Sequence, residues 1–292
     1  MMDETTERHE TAGLTAARPP LAPGRPARVY GVDYTVFEDE DGGALYLTRY
    51  GLPLIEHLRP DHWYAGQRYL SHGTRLTAGT GTVYRMQLID RPTHPVDAVV
   101  KFSRFAQDVP LDIRSTFNEA IDEELALQAR FLDPFQEFGL LMDLRRGRFG
   151  PQNLMIRTKR PLAIYRAPVR EAAWRLGRKS SHLNYFRREL EADQSTALSP
   201  ISIDSDRMYV VLFHWVRGCN VVEAVQAGLM DQAEVDPFTR RVADELKAKG
   251  FVVLDHKPQH IIVRCTADGV VRRDGEPVYA IVDFELLERT EV

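Results

Sequence analysis

Residues 251–290 read FVVLDHKPQH IIVRCTADGV VRRDGEPVYA IVDFELLERT. Two short apolar runs of strand type, 251–254 and 261–263, bracket a loop that holds Asp255, Lys257, Pro258 and His260. A third run, 279–282, delivers Asp283 and Phe284. A strand carries a carboxylate at its tip where water, a cation or a ligand can meet it, because burying an unpaired charge is prohibitive. Asp255 and Asp283 are therefore site candidates. Taken singly, each is also the kind of residue that closes a turn. A metal set of His256, His260 and Cys265 is the weaker alternative, since pairing the two histidines at i, i+4 needs a helix and Pro258 between them disfavours one.

The order Asp255, Lys257, Pro258, His260, three apolar residues, a hairpin and then Asp283-Phe284 resembles the catalytic and metal-binding loops of the protein-kinase-like superfamily. The resemblance implies a two-lobed α+β fold and transfer of the γ-phosphoryl group of ATP with Mg²⁺. Asp255 would orient the acceptor hydroxyl, Lys257 would neutralise the γ-phosphate, and His260 and Asp283 would hold metal. Three features depart from the pattern. Val253-Leu254 stand where His-Arg is usual, His260 replaces Asn, and Glu285 replaces the Gly after Asp-Phe. A His in the Asn position is similar to some lipopolysaccharide-core kinases.

Upstream, YLSHGTRLTAGTGTVYRMQLI holds two strand-like runs joined by a Gly/Thr loop. By the same resemblance Gly79 and Gly81 would cradle phosphates and Val83 would pack on the adenine; a plain hairpin turn explains the glycines equally well. The run AVVKF places Lys101 among apolar neighbours, so it either meets an anion or faces water from an edge strand. The resemblance makes it the lysine on the α- and β-phosphates. Its partner would come from the helical stretch TFNEAIDEELALQARFL, where Glu123 is preferred over Glu119 and Glu124. The run RMYVVLFHWVRG is similar to a last N-lobe strand and hinge, with Trp215 and Val216 offering backbone groups to the adenine.

The chain has 292 residues, enough for one large domain or two lobes. Residues 1–27, rich in proline and charge, are expected as a disordered tail, 28–68 as a β-hairpin and helix extension, 69–213 as an N-lobe, and 214–292 as a reduced C-lobe without an activation segment. Helices are expected over 169–177, 185–192 and 237–249. Two cysteines, Cys219 and Cys265, give no disulfide framework, and no apolar run reaches the roughly 20 residues a membrane span requires. A cytoplasmic setting is the expectation.

The formal charge of −4 hides an asymmetry, for residues 144–190 carry thirteen Lys and Arg against Glu171 and Glu189. Such a segment reads as a basic helical insertion that meets an acidic or phosphorylated acceptor, or nucleic acid, or as a cationic surface balanced by the rest of its own chain. The rivals to a phosphotransferase are a pseudokinase that binds nucleotide without transfer, and an anion-binding adaptor on the same scaffold.

Overall fold

The run MYVVLFH belongs to a strand buried on both faces, and the fold is built around it. The computed structural model describes residues 23–76, 81–89, 95–109, 111, 129–194 and 200–290. Eight strands form one antiparallel sheet: β1 (Arg25–Val29), β2 (Val32–Glu38), β3 (Ala44–Leu47), β4 (Thr74–Arg75), β5 (Val83–Ile89), β6 (Val96–Phe102), β7 (Pro161–Arg170) and β8 (Arg207–His214). Their spatial order is β1-β2-β3-β7-β8-β6-β5-β4. In β8 the side chains alternate between two cores, Tyr209, Val211 and Phe213 on one face and Val210 and Leu212 on the other. Covering both faces explains why β8 reads as an unbroken apolar run instead of an alternating one.

The second face is covered by short helical turns, Ile55–Leu58, Pro60–Trp63 and Arg68–Ser71, which bury Leu58 and Trp63. The first face carries α1 (Pro134–Arg146), α2 (Ser180–Asp193), α3 (Val221–Gln226) and α4 (Gln232–Ala248), together with the C-terminal strands. Besides the two-residue hairpins Cys265–Thr266 with Gly269–Val270 and Arg272–Arg273 with Glu276–Pro277, two small sheets complete the described residues. In one, β9 (Cys219–Asn220), β11 (Ile261–Val263) and β12 (Tyr279–Ile281) lie side by side; in the other, β10 (Phe251–Val253) pairs with β13 (Leu287–Arg289). The architecture is mixed α+β, dominated by the large antiparallel sheet. Among the described residues no helix is long and apolar enough to cross a membrane.

Several expectations change. The tail boundary at 27 falls inside β1, whose residues pair with β2 from Arg25↔Val36 to Val29↔Val32. The hairpin expected ahead of the core is part of the sheet itself, because β3 pairs with β7, Ala44↔Arg166 to Leu47↔Ala163. No helix forms over 169–177. Val169 and Arg170 end β7 and the next residues turn, since strand pairing outweighs a helical pattern only nine residues long. The helix around 185–192 is longer, as α2, and α4 begins at Gln232 with Pro237 inside it. The helical stretch at 112–128, with Glu119, Glu123 and Glu124, lies outside the described residues.

Helix α1 was not foreseen, although its ends are written in sequence. Asp133 caps it by accepting from the Phe135 and Gln136 amides, Pro134 takes the first position, and Gly147 closes it at φ +64°. Gly218, between β8 and β9, has a different reason to be glycine: a Cβ there would stand 2.1 Å from the Val263 carbonyl oxygen.

Candidate active site

Two strand pairings assemble the site. Antiparallel β11 and β12 match Ile261 with Ile281, so the residue before one strand meets those after the other, and the Val282 amide donates to the His260 carbonyl at 3.0 Å. Likewise β10 and β13 match Val253 with Leu287, and the Leu254 amide donates to Leu286. Asp255, His260, Asp283 and Glu285 are thereby gathered at one end of both sheets. Lys101 arrives from β6. Strand alternation turns it to the face that Val99 occupies, beneath which these loops pack. Because β6 lies between β5 and β8, Lys101 is central, not on an edge, and is buried.

The Lys101 ammonium donates to Asp283 Oδ1 at 2.7 Å and lies 3.1 Å from Glu285 Oε2. The other Glu285 oxygen meets Arg104, whose guanidinium sits 4.0 Å above the Phe131 ring. Asp283 Oδ2 is 3.5 Å from His260 Nε2, and His260 Nδ1 is 4.0 Å from Asp255 Oδ1. Asp255 Oδ2 lies 3.4 Å from the Lys257 ammonium. Each aspartate thus turns one oxygen to a lysine and the other toward the single imidazole between them.

Electrostatics separates the two aspartates. Burial raises the pKa of both, but Lys101, His260 and Lys159 around Asp283 win and hold it well below the usual carboxylate range. Asp255 is pushed up, by burial and by the neighbouring Asp283 charge. Lys101 stays charged despite burial because Asp283 and Glu285 face it. Burial lowers His260, leaving an uncharged imidazole at neutral pH.

The donor set fits a divalent cation. Asp255, His260 and Asp283 each offer one ligand atom, all within 4.8 Å of one another. Among the described residues, Asp255 Oδ1 and His260 Nδ1 are buried and find no hydrogen-bond partner, so both atoms are open to a ligand. Asp255, absent from the expected metal pair of His260 and Asp283, belongs to this set. The alternative set fails: His256 is buried with Nε2 donating to the Thr239 carbonyl, and Cys265 pairs with Cys219.

That cysteine pair corrects the expectation of no disulfide. Cys219 lies opposite Val263 in the β9–β11 pairing and Cys265 follows two residues on, which brings their Cα atoms to 6.6 Å, inside bridging distance.

Of the remaining expected residues, Val83 stands opposite Lys101 in the β5–β6 register and Gly81 lies against Val83 and Arg104. Gly79 and Glu123 lie outside the described residues. Trp215 and Val216 follow β8. The Trp215 amide, expected to face a nucleotide base, instead donates to the Asp97 carbonyl, and Arg85 stacks 4.8 Å over the Trp215 ring.

Sequence reasoning missed three site residues. Glu285 had no role, and Glu137 and Lys159 were not singled out as a pair. They form a second buried ion pair at 3.2 Å behind Lys101, with the Lys159 ammonium 3.4 Å above the Phe213 ring centroid. The only signal for Glu137 was the helix start at Asp133-Pro134.

The basic stretch is not a separate insertion. It comprises the end of α1, all of β7, a turn and most of α2, and many of its cations are used internally. Arg145 donates to the Thr158 carbonyl, Arg146 to Gly31, Arg166 to Gly42 and Arg178 to Ser205 and Arg207, while Arg170 pairs with Asp204 and Asp206. Its cations largely bind the fold together. Arg148, Arg157, Arg160, Arg175 and Arg188 remain exposed.

No protein-family model matches the chain, and no curated protein matches it as a relative.

Proposed function

We propose that the protein is a nucleotide-dependent phosphotransferase of kinase-like organisation, taking Mg-ATP between the sheet and the C-terminal loops. The observation that carries this reading is the meeting of Lys101 with Asp283, 182 residues later, beside Asp255 and His260. Phosphoryl transfer depends on positioning and on neutralising charge, which asks for cations on the phosphates, carboxylates on metal and one carboxylate at the acceptor. All of these are within one cluster.

The charges sharpen the reading. Lys101, Arg104 and Lys159 balance Asp283, Glu285 and Glu137, and Lys257 balances Asp255. A free divalent cation therefore finds carboxylates already matched by lysines and binds weakly. A polyphosphate changes this by giving Lys101 and Lys257 new anions, which releases Asp283 and Asp255 for their roles. His260 and Asp283 would hold the metal, whose contribution is to neutralise charge on the phosphates, and Asp255 beside them would be left for the acceptor. Asp255, with its raised pKa, is suited to share the acceptor's proton, and Lys257, its side chain 43% exposed, is open to an incoming phosphate.

The test is thermal unfolding with ATP and Mg²⁺ together and separately. A ligand bound by the folded state alone raises Tm by mass action, so the pair should stabilise the protein more than either alone. No shift at millimolar Mg-ATP removes the reading. Binding without hydrolysis or transfer favours a nucleotide-binding module of the pseudokinase kind.

A further inference from the structure

Lys101 meets two carboxylates in this structure, and only one of them is needed by metal. The family resemblance gives Asp283 to metal and expects a helix carboxylate to aim the lysine, while it expects glycine at the position Glu285 occupies. Glu285 is anchored as few side chains are. It is 4% exposed, its neighbours Phe284 and Leu286 are buried, and its carbonyl accepts from the Leu132 amide at 2.9 Å. One carboxylate oxygen lies 3.1 Å from the Lys101 ammonium and the other is held by Arg104. Arg104 follows Lys101 by three residues and is itself seated on the Phe131 ring. A carboxylate fixed at both oxygens, buried, and touching the lysine has no freedom to follow a metal. It has every means to fix the lysine.

We propose that Glu285 is the positioning residue for Lys101: the Arg104–Glu285 clamp keeps the ammonium aimed at the α- and β-phosphates after Asp283 has turned to metal. The proposal rests on the nucleotide reading above. It gives the departure from glycine a use, since a glycine there would leave Lys101 with Asp283 as its one neighbour among these loops, and Asp283 cannot serve lysine and metal with equal strength.

The experiment compares Mg-ADP with adenosine by calorimetry on the full chain, for wild type and Glu285→Gln. Adenosine lacks the phosphates that Lys101 meets, so a positioning role is felt by one ligand and not by the other. Loss of the carboxylate charge that faces the ammonium predicts that Glu285→Gln binds Mg-ADP about tenfold more weakly, with adenosine affinity unchanged. Equal affinity of the folded variant and wild type for Mg-ADP overturns the proposal, as does a loss shared equally by adenosine, which would mark Glu285 as merely structural. Should Glu285→Gln fail to fold, Arg104→Lys, which keeps the charge and loses the two-pronged grip, carries the same comparison with the same signs. A wild-type protein that binds neither ligand overturns the nucleotide reading itself, whereas wild-type binding with an indifferent Glu285→Gln overturns the clamp alone.

Discussion

Replacing Glu137 by Gln keeps the volume of the side chain and removes its charge, leaving the Lys159 ammonium buried above Phe213 without its counter-ion. Both residues are 3% exposed and lie 3.2 Å apart. Breaking a buried pair from one side destabilises by about 3–5 kcal/mol. Lys159 sets a ceiling on that loss, because burial already lowers its pKa and the unpaired ammonium can release its proton. Starting from an unfolded-state pKa of about 10.4, deprotonation at pH 7 costs about 4.6 kcal/mol, and at pH 9 only about 1.9. The sign follows from linkage: the unfolded variant binds one more proton than the folded variant, so the variant gains stability relative to wild type as pH rises. Urea denaturation at pH 7 and pH 9 should therefore give a deficit of about 3–5 kcal/mol shrinking to about 2. Removing both partners, as Glu137→Leu with Lys159→Met, should return the protein to within about 1.5 kcal/mol of wild type. A deficit below about 1 kcal/mol at pH 7, or one that ignores pH, or a double variant as unstable as the single, refutes the view of this pair as mutually dependent buried charges.

Asp133 offers a second pH effect of opposite sign. Burial pushes its pKa up to about 7, so the folded state holds a proton that the unfolded state has lost, and stability falls as pH rises from about 4 to about 7. Asp133→Asn keeps a good helix cap and should exceed wild type in stability by an amount that grows over that window, to at most about 4 kcal/mol at pH 8; a gap independent of pH between 4 and 8 rejects this. Arg178→Glu should destabilise by about 3 kcal/mol or more, because Arg178 is buried against Phe105 and the carbonyls of Ser205 and Arg207. Arg175→Glu, on an exposed residue of the same turn, should stay within about 0.5 kcal/mol by the same denaturation assay. Equal losses would return the basic stretch to a surface role. Finally, Asp283→Ala should lose Mg-dependent nucleotide affinity while Asp255→Ala keeps it and loses turnover; calorimetry and a phosphate-release assay read the two, and matching losses of binding contradict the division of roles.

The part of the site that could be read in sequence is the part made by strand ends. The runs at 251–254, 261–263 and 279–282 announce where Asp255, His260 and Asp283 emerge, and an apolar strand around Lys101 announces a cation in search of an anion. What the lysine meets could not be read. Arg104 and Glu285 are 181 residues apart, and nothing local at either position records the other. The Glu137–Lys159 pair was hidden differently: its helix begins with a plain cap signal at Asp133-Pro134, yet the count of arginines drew the whole region into one basic segment. The turn after β7 shows tertiary context overruling a local pattern, since β7 is paired on both sides by β3 and β8 and continues to Arg170. The cysteine pair depends on a register between β9 and β11 that spacing alone does not fix.

The distance along the chain between Lys101 and Asp283 also sets a clock on synthesis. Asp283 is translated 182 residues after Lys101, a delay of about 10–40 s at ordinary elongation rates. Throughout that interval neither Asp283 nor Glu285 exists to accompany the ammonium, and enclosing it without them is strongly unfavourable. Strand β6 is the neighbour of β8 in the centre of the sheet, so the middle of the fold waits for its last forty residues. The nascent protein must keep its own centre open to water, and its strands exposed to other chains, until the loops that carry Asp283 and Glu285 leave the ribosome and close over the lysine.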